Sequence, residues 1–340
     1  MPGPEAEPQV EATPSPLAAR VPPVRLRLLA WFRDNARDLP WRRTRDPYAV
    51  LVSEVMLQQT QVDRVVPHYR AFLDRFPTAD ALAAAPTADV IRQWAGLGYN
   101  RRAVNLQRTA AAVVARGGFP ANPVALRELP GVGPYTAGAV ACFAFEQDVA
   151  FVDTNMRRVI QRLFFGAEHH TAPVPERQIL EVAAALVPAG NGWEWNQALI
   201  EFGALQCTAR KPACVVCPLQ DRCAAFPGVL SPVPTARAKP RRSEQFASSS
   251  RYYRGRILAA VREADPDEGG LSFKELGPRL RPDYSAEHQD WLVALVAGLA
   301  KDGLVTLAED SVPYDAPPDA EPPAGASGSP LPRLGRVRLP

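Results

Sequence analysis

The chain has 340 residues, of which 46% are hydrophobic and 22% are charged, and its formal net charge is +3 at pH 7. This length allows two or three domains with apolar cores, whereas the small net charge only weakly supports a nucleic-acid partner, since binding needs a local basic face. No stretch is apolar enough to span a membrane and no signal-peptide pattern opens the chain, which excludes a membrane partner and predicts a cytoplasmic protein.

The first 223 residues divide into a tail and a long helical region. Residues 1–23 are rich in Pro, Ala and Glu without periodicity, which predicts a disordered tail. Residues 24–223 show helical hydrophobic periodicity interrupted by Pro and Gly. The predicted helices are, in chain order, 24–36, 47–59, 63–76, 78–84, 87–96, 100–116, 123–129, 134–145, 153–164, 176–187 and 193–205. No run of strands interrupts them, so the predicted fold class is all-α.

Two carboxylates occupy unusual positions in this helical region. Glu54 has apolar neighbours on a predicted helix, and such surroundings raise the pKa of a carboxyl and suit it to donate a proton. The alternative for Glu54, an acid on a solvated helix face, is less favoured by those neighbours. Asp153 follows the apolar run 149–152 and opens a helix, where the alternative is a simple N-cap. Neither residue carries a functional claim alone.

A glycine-containing turn joins two predicted helices around residues 123–145. Gly131 and Gly133 flank a valine, and Pro134 opens the second helix. A helix that begins with proline after such a turn presents free backbone N–H groups to an anion, for which a DNA phosphate is the best candidate. A single G-x-G turn is common in helical hairpins, but the flanking residues here favour a helix-hairpin-helix element.

Four of the five cysteines lie close together in sequence, at Cys207, Cys214, Cys217 and Cys223. Thiolates at this density favour metal ligation over disulfides in an intracellular protein. A structural zinc site is the alternative, but such sites usually contain two short C-x2-C pairs, whereas this run has one. The spacing therefore favours an iron–sulfur cluster.

The last third of the chain has a different character. Residues 224–246 contain four prolines and several basic residues and are predicted to be a linker. Residues 247–310 predict three helices, at 251–264, 272–280 and 285–302, followed by a small hairpin, which together suggest a winged-helix-like unit. This unit is either a second DNA contact or a packing module. Residues 311–340 are rich in Pro, Ala and Gly and are predicted to be a disordered tail.

Residues 40–223 resemble the endonuclease III-like helix-hairpin-helix, iron–sulfur DNA glycosylases, and within them the adenine-specific MutY branch. The resemblance depends on the cysteine run, the hairpin 129–133, the segment 53–62 and the region of Asp153. It implies a two-lobed fold, a [4Fe-4S] cluster on the four cysteines, and a monomer that binds double-stranded DNA with a mismatched or damaged base. The target base would be flipped into a pocket between the lobes.

The same resemblance implies roles for individual residues. Glu54 would protonate the purine at N7, and Asp153 would stabilise the positive charge that develops on the sugar, as carboxylates do in glycoside hydrolysis. Tyr135 stands where the lyase relatives carry a nucleophilic lysine, so a Schiff base would lack its amine. Tyr135 and Asn155 would support the catalytic carboxylate.

The resemblance also implies binding residues. Those that would line the adenine pocket are Trp41, Arg42 and Gln197, and those placed against the opposite base are Gln59, Thr60, Leu97 and Tyr99, with Gly131 and Gly133 in the hairpin. The family often has Asp-Gly-Asn at the second carboxylate, whereas this chain has Thr at position 154. The family's β-rich, nudix-like domain, which recognises 8-oxoguanine, has no counterpart in residues 224–340.

Three functions follow from these patterns. The favoured one is a monofunctional base-excision repair glycosylase that removes adenine mispaired with 8-oxoguanine or guanine. The first alternative is a thymine or uracil mismatch glycosylase of the same fold, which would depend less on Glu54. The second alternative is a non-catalytic protein that binds damaged DNA, against which the presence of both Glu54 and Asp153 argues.

Overall fold

The computed structural model describes residues 16–168, 173–230, 249–264, 269–308 and 335–340. The chain forms two compact units. The first unit contains Met1–Glu54, Phe119–Glu128 and Val132–Ala236, and the second contains Val55–Gly118, Leu129–Gly131 and Arg237–Pro340. The basic part of the predicted linker and most of the predicted C-terminal tail lie outside the described residues.

The described chain is mostly helical. The α-helices are α1 Pro16–Asn35, α2 Pro47–Leu57, α3 Val62–Arg75, α4 Ala79–Ala84, α5 Thr87–Gln93, α6 Arg101–Arg116, α7 Pro123–Leu126, α8 Pro134–Phe145, α9 Thr154–Ile160, α10 Glu176–Leu186, α11 Gly192–Leu205, α12 Ser250–Glu263, α13 Phe273–Leu280 and α14 Gln289–Lys301. A π-helical turn, Gln161–Phe165, follows α9, and 3-10 turns lie at Pro40–Arg43, Cys214–Val216, Gln220–Arg222, Gly228–Leu230 and Ala286–His288. None of the described helices is long and apolar enough to cross a membrane.

The core of the first unit forms around α8 and α11. Helix α8 begins with Pro at its first position and is buried over nearly its whole length, because its small side chains let neighbouring segments approach closely. A Cβ at Gly138 would lie 2.6 Å from Cβ of Phe151, so only glycine allows this contact with the segment before Asp153. Helix α11 packs against α1 and α9. These contacts place the predicted acidic residues in a rigid setting.

The second unit joins α3–α6 to the three C-terminal helices through one hydrophobic cluster. Helices α3 and α6 are amphipathic, and α6 packs against α4 and α5. Ile91 of α5 and Val104 of α6 belong to the same buried cluster as Leu258 of α12 and Leu299 of α14. The C-terminal helices are therefore part of this unit's core.

A small sheet closes the C-terminal part of the second unit. Strand β1, Thr306–Ala308, pairs antiparallel with strand β2, Arg336–Arg338, and Leu271 forms an isolated bridge with Val337. The predicted tail 311–340 was therefore wrong for its last residues, because Val337 is buried and supplies hydrogen bonds to Leu271. The sequence did not predict this strand, because one valine between two arginines is too short an alternation of polar and apolar residues to indicate a β-strand.

The first helix also differs from the prediction. Helix α1 begins at Pro16 rather than at residue 24, although it contains Pro22 and Pro23. Val21 and Val24 are buried at helical spacing, and this packing outweighs the cost of prolines inside the helix. The predicted disordered tail 1–23 was therefore too long by the residues from Pro16 onward.

Candidate active site

Glu54 lies on α2 and is the last residue of that helix that belongs to the first unit. Only 6% of its surface is exposed. Burial raises the pKa of this carboxyl to about 7, a hydrogen bond with Tyr135 opposes the rise, and the charge of Asp153 adds to it. Burial and the two neighbouring carboxylates also hold the pKa of Tyr135 well above its usual range, so the phenol stays protonated. Glu54 is therefore poised to hold and release a proton near neutral pH.

Asp153 caps helix α9. Its Oδ1 accepts the backbone N–H of Met156 at 2.7 Å, and its Oδ2 accepts Nδ2 of Asn155 at 3.1 Å. The predicted N-cap geometry is present, and the two hydrogen bonds fix the orientation of the carboxylate. The ring of Tyr135 packs edge-on against Phe151, two residues before Asp153, with 5.4 Å between centroids. The structure thus brings Glu54, Tyr135, Asp153 and Asn155 together.

A second layer of hydrogen bonds holds Asn155. Arg158 donates to Oδ1 of Asn155 at 2.9 Å and to the backbone carbonyls of Gly203 at 2.6 Å and Cys207 at 2.8 Å. A Cβ at Gly203 would lie 2.9 Å from Cβ of Asn155, so glycine permits this close approach of α11. Sequence reasoning missed Arg158, although an arginine one turn into a helix capped by an acid was a visible signal.

A buried ion-pair network lies beneath the predicted adenine-pocket residues. Arg42 donates to Oε1 of Gln197 at 2.8 Å and to Oε2 of Glu201 at 2.9 Å, and Arg37 binds Glu201 through both guanidinium and backbone N–H groups. Trp41 is buried in the same 3-10 turn as Arg42. Burial would raise the pKa of Glu201, but the hydrogen bonds from Arg37 and Arg42 outweigh it and lower the pKa to about 2.

Glu201 was missed by sequence reasoning. It lies four residues after Gln197 on the buried face of α11, and its side chain is fully buried. An acid at i+4 from a predicted binding residue, well inside a helix whose other acid, Glu194, is in the first turn, was the signal that could have identified it. Its role here is to fix Arg42, and through Arg42 the amide of Gln197.

The four predicted cysteine ligands line one cavity in the first unit, together with Arg162, Leu163 and Phe202 among other residues. Four thiols that line one cavity supply the donor set that an iron–sulfur cluster requires. The donor set and the cavity therefore fit an iron–sulfur cluster.

The surroundings of the thiols fit the same group. Nη1 of Arg162, on the π-helical turn, lies 3.5 Å from Sγ of Cys207, and the backbone N–H of Leu219 donates to Sγ of Cys217 at 3.4 Å. Without metal, burial and the neighbouring thiols raise the pKa of Cys217 to about 11. Bound iron would supply the positive charge that thiolates need in such a site.

In the second unit, the predicted opposite-base residues lie on two loops that one arginine holds. Nη1 of Arg102 binds the carbonyls of Val55 at 2.8 Å and Gln58 at 2.6 Å, and Nη2 binds Oγ1 of Thr60 at 3.1 Å and the carbonyl of Leu97 at 3.2 Å. Arg102 therefore joins the loop after α2 to the loop before α6. Burial lowers the pKa of its guanidinium to about 10.

The same two loops contain strained backbone. Gln59 has φ +54° and Tyr99 has φ +46°, a left-handed conformation that is uncommon for side chains other than Gly, Asn and Asp. Such conformations cluster at ligand-binding sites, where the surrounding structure enforces them. Sequence reasoning missed Arg102, yet two arginines in the first turn of α6 oppose the helix dipole and were a detectable signal of another role.

The hairpin has the predicted form. Gly131 has φ +79°, and a Cβ there would lie 3.0 Å from Cβ of Asn105, so the turn requires glycine. The hydroxyl of Thr109 donates to the carbonyl of Pro130 at 2.6 Å and anchors the turn on α6. Gly133 immediately precedes α8 and has no side chain to occupy the first N–H groups of that helix. The N-cap residue of α8 therefore leaves its first N–H groups without a side-chain cap, as the predicted phosphate contact requires.

The predicted site residues thus divide between the two units. Those in the first unit are Trp41, Arg42, Glu54, Gly133, Tyr135, Asp153, Asn155, Gln197, Cys207, Cys214, Cys217 and Cys223, and those in the second unit are Gln59, Thr60, Leu97, Tyr99 and Gly131.

Two family models match the sequence. One describes an HhH-GPD superfamily base excision DNA repair protein and matches residues 52–185, and the other describes the iron-sulfur binding domain of endonuclease III and matches residues 207–223. The first range contains Glu54, Tyr135 and Asp153. The second begins at Cys207 and ends at Cys223.

Curated relatives match over most of the chain. The adenine DNA glycosylase of Mycolicibacterium smegmatis is 43% identical over 243 residues, which cover 70% of this chain and 80% of that protein. The adenine DNA glycosylase of Mycobacterium tuberculosis is 44% identical over 242 residues, covering 70% of this chain and 78% of that protein. The human adenine DNA glycosylase is 41% identical over 218 residues, covering 61% of this chain and 40% of that protein.

Solved structures show the same fold. A thermostable thymine-DNA glycosylase is 33% identical with a TM-score of 0.57, covering 61% of this chain and 97% of that chain. Endonuclease III in a non-covalent complex with DNA is 26% identical with a TM-score of 0.51, covering 61% of this chain and 94% of that chain. Together with the two family models, these structures show a helix-hairpin-helix glycosylase fold with an iron–sulfur loop in the part of the chain that they match.

Proposed function

This chain belongs to the adenine DNA glycosylase family of base excision repair, and we propose on that premise that it removes adenine mispaired with 8-oxoguanine or guanine without cutting the DNA backbone. The observation that carries the proposal is the buried carboxyl of Glu54. It is hydrogen-bonded to Tyr135 and lies close enough to Asp153 for that residue to raise its pKa. This pairing sets a carboxyl that can donate a proton near neutral pH beside a second carboxyl, the two groups that cleavage of a glycosidic bond uses.

Glu54 acts as the general acid in the proposed reaction. A carboxyl with a pKa of about 7 is substantially protonated at neutral pH. A general acid whose pKa lies near the working pH transfers its proton efficiently, here to N7 of adenine. Protonation turns the adenine into a better leaving group. Tyr135, which stays protonated, donates its hydrogen bond to Glu54 and stabilises the carboxylate that remains after transfer.

Asp153 stabilises the sugar as the bond to adenine breaks. Positive charge develops on the deoxyribose, and a carboxylate held by Met156 and Asn155 faces that charge without having to reorient. Asn155 is in turn held by Arg158. Water then completes the hydrolysis, because Tyr135 offers no amine at the position where a lysine would form a Schiff base.

The remaining predicted residues bind DNA. Arg42 and Gln197, fixed by Glu201, present hydrogen-bonding groups suited to the edge of a flipped adenine, beside Trp41. Gln59, Thr60, Leu97 and Tyr99 contact the opposite base, and Arg102 holds their loops in place. Gly131 and Gly133 place the α8 N-terminus against a DNA phosphate.

The cysteine loop and the C-terminal helices have structural parts in this proposal. Cys207, Cys214, Cys217 and Cys223 hold a [4Fe-4S] cluster, which when bound cross-links its loop in a fixed shape.

Helices α12–α14 with strands β1 and β2 form a winged-helix-like unit, supported by the order of helices followed by a paired strand and by the Leu271 bridge. The protein acts as a cytoplasmic monomer on chromosomal DNA.

The proposal is tested by single-turnover reactions on four duplexes, which carry adenine opposite 8-oxoguanine, adenine opposite guanine, thymine opposite guanine and uracil opposite guanine. Each reaction is analysed with and without alkali. We expect strand breaks at adenine only after alkali, because a monofunctional glycosylase leaves an abasic site. Breaks without alkali would contradict the role of Tyr135, and release of only a pyrimidine would move the chain to a mismatch thymine or uracil activity.

A further inference from the structure

The C-terminal helices contact the opposite-base loop through three consecutive residues. Nη2 of Arg262 on α12 donates to Oδ1 of Asn100 at 2.8 Å, and Arg101 pairs with Asp302 at 3.5 Å. The third contact is between Arg251 of α12 and the ring of Tyr99. All of these residues lie in the second unit, whose hydrophobic cluster includes residues of α5, α6, α12 and α14, so the contacts belong to one packed body.

Tyr99 carries an arginine on its ring. The guanidinium of Arg251, in the first turn of α12, lies 4.1 Å from the ring centroid, and the guanidinium of Arg102 lies 5.6 Å from the same centroid. Tyr99 as a whole residue is 40% exposed. Two guanidinium groups thus flank a partly exposed aromatic ring in a left-handed backbone position.

Arg251 differs from the other arginines of α12. Arg254 pairs with Asp302, Arg256 donates to the carbonyl of Leu280, and Arg262 donates to Asn100. Within the described part of the chain, Arg251 has no carboxylate or carbonyl partner, and its side chain is exposed. A cation in the first turn of a helix is also electrostatically unfavourable, so folding stability does not explain it.

We propose that Arg251 is a DNA-binding residue: stacked on Tyr99, it contacts a backbone phosphate of the strand that carries the opposite base. This inference rests on the proposed function, which places Tyr99 against that base. A guanidinium stacked by one face keeps its in-plane N–H donors free, and these match a phosphate in a bidentate geometry. The C-terminal unit therefore extends the DNA surface through α12.

The first experiment measures binding of the full chain by fluorescence anisotropy, on a duplex in which 2′-fluoro-2′-deoxyadenosine opposite 8-oxoguanine resists base release. We compare Arg251→Ala, Arg251→Lys and, as a matched control, Arg279→Ala, which removes one exposed charge from α13 of the same unit. For Arg251→Ala we expect an about five-fold rise in Kd and a reduction of about 0.9 in the slope of log K against log salt, the value for one phosphate contact.

The two other variants define the outcome. Arg251→Lys is expected to restore the salt slope but not the full affinity, because lysine supplies charge without the stacked planar group. Arg279→Ala is expected to keep the wild-type slope. An unchanged slope for Arg251→Ala, in a variant with wild-type iron content and circular dichroism, would overturn the proposal, and so would an equal loss in Arg279→Ala.

A second experiment identifies the strand. Single phosphates near the mismatch are replaced by neutral methylphosphonates, first on the opposite-base strand and then on the adenine strand. We expect one position on the opposite-base strand to weaken the wild type but not Arg251→Ala, which is the coupling expected of a direct contact. Coupling on the adenine strand instead would contradict the strand assignment.

These binding data are independent of turnover. The same variants are assayed for adenine release on the natural duplex, so a wild type that releases no adenine would refute the proposed function while the salt slopes still report on Arg251. Conversely, a wild type that releases adenine, paired with an Arg251→Ala variant of unchanged slope, would refute only the role of Arg251.

Discussion

At the scale of single residues, the burial of Glu54 predicts how the rate of adenine release depends on pH. Burial raises the pKa of this carboxyl to about 7, so its protonated fraction falls as the pH rises through neutrality. If Glu54 is the general acid, the single-turnover rate of adenine release is expected to fall about tenfold per pH unit above this pKa. Rates measured from pH 5.5 to 9 test this, and Glu54→Gln is expected to lose about 10²- to 10⁴-fold in rate at pH 7. A flat profile would contradict the assignment.

The same burial has a cost in stability. The folded state holds the Glu54 proton more tightly than the unfolded chain, whose carboxyl has its ordinary value of 4.5, so stability is fully present below pH 4.5 and decreases as the pH rises to about 7. The loss is about 3 kcal/mol at 1.36 kcal/mol per pKa unit. Glu54→Gln, which carries no charge, is therefore expected to be more stable than the wild type at pH 8 but not at pH 4.5. Urea unfolding at both pH values measures the difference.

Asp153 offers a substitution that separates structure from chemistry. Asparagine has nearly the same shape and is also a good helix N-cap, so Asp153→Asn should keep the hydrogen bond to Met156. It removes the negative charge that faces the developing positive charge. We expect adenine release to fall by at least about 10²-fold, with duplex affinity nearly unchanged. Normal turnover by this variant would refute the proposed role.

At the scale of elements, the close approach of α8 to the segment before α9 sets the spacing between Tyr135 and Asp153. Gly138 is the point of contact, because any Cβ there would overlap Phe151. We expect Gly138→Ala to destabilise the protein by about 1–3 kcal/mol and to reduce adenine release, since α8 must move away from the segment that leads to Asp153. Gly255→Ala on α12 is the control.

The control makes the cause specific. A Cβ at Gly255 would meet nothing within 4 Å, and alanine favours a helix over glycine by up to about 1 kcal/mol. Chemical denaturation of both variants separates the steric effect from helix propensity. Equal stability changes in the two proteins would show that the contact with Phe151 does not matter.

At the scale of the whole molecule, the cysteine loop joins distant parts of the first unit. Arg20 of α1 donates to the carbonyl of Arg222 at 3.1 Å, and Arg162 donates to the carbonyl of Thr208 at 2.7 Å. Arg158 donates to the carbonyl of Cys207 and to the side chain of Asn155, and Asn155 donates to the carboxylate of Asp153. Loss of the cluster is therefore expected to lower the stability of the first unit and to displace the carboxylate of Asp153.

Cys217→Ser tests this coupling. We expect loss of visible iron–sulfur absorbance, a Tm lower by at least about 5 °C and weak adenine release, because metal binding supplies folding free energy. Cys142→Ala is the matched control, since Cys142 is buried away from the loop beside Asn196. Retention of full iron content by Cys217→Ser would contradict its assignment as a ligand.

Much of this protein was predictable from local patterns. The bounds of α8 and the N-cap at Asp153 agree with the prediction, because proline at a helix start and an acid before a helix are local signals. The cysteine spacing and the glycine turn are equally local. Residues that work at a distance gave weaker signals: Arg102 and Glu201 occupy unusual positions in their helices, but their partners lie far along the chain and only the folded structure identifies them.

The amino-acid order alone therefore determined the mostly helical class, the family resemblance and the four cysteines of the iron–sulfur loop, and it singled out Glu54 and Asp153 as candidates, because each depends on residues near one another in sequence. The folded chain was required for the pKa of Glu54, the Arg42–Glu201 network and the contact of Arg251 with Tyr99. Burial, desolvation and hydrogen bonding between distant segments arise only when the chain packs, and no periodicity in the sequence encodes which of its many arginines will meet which partner.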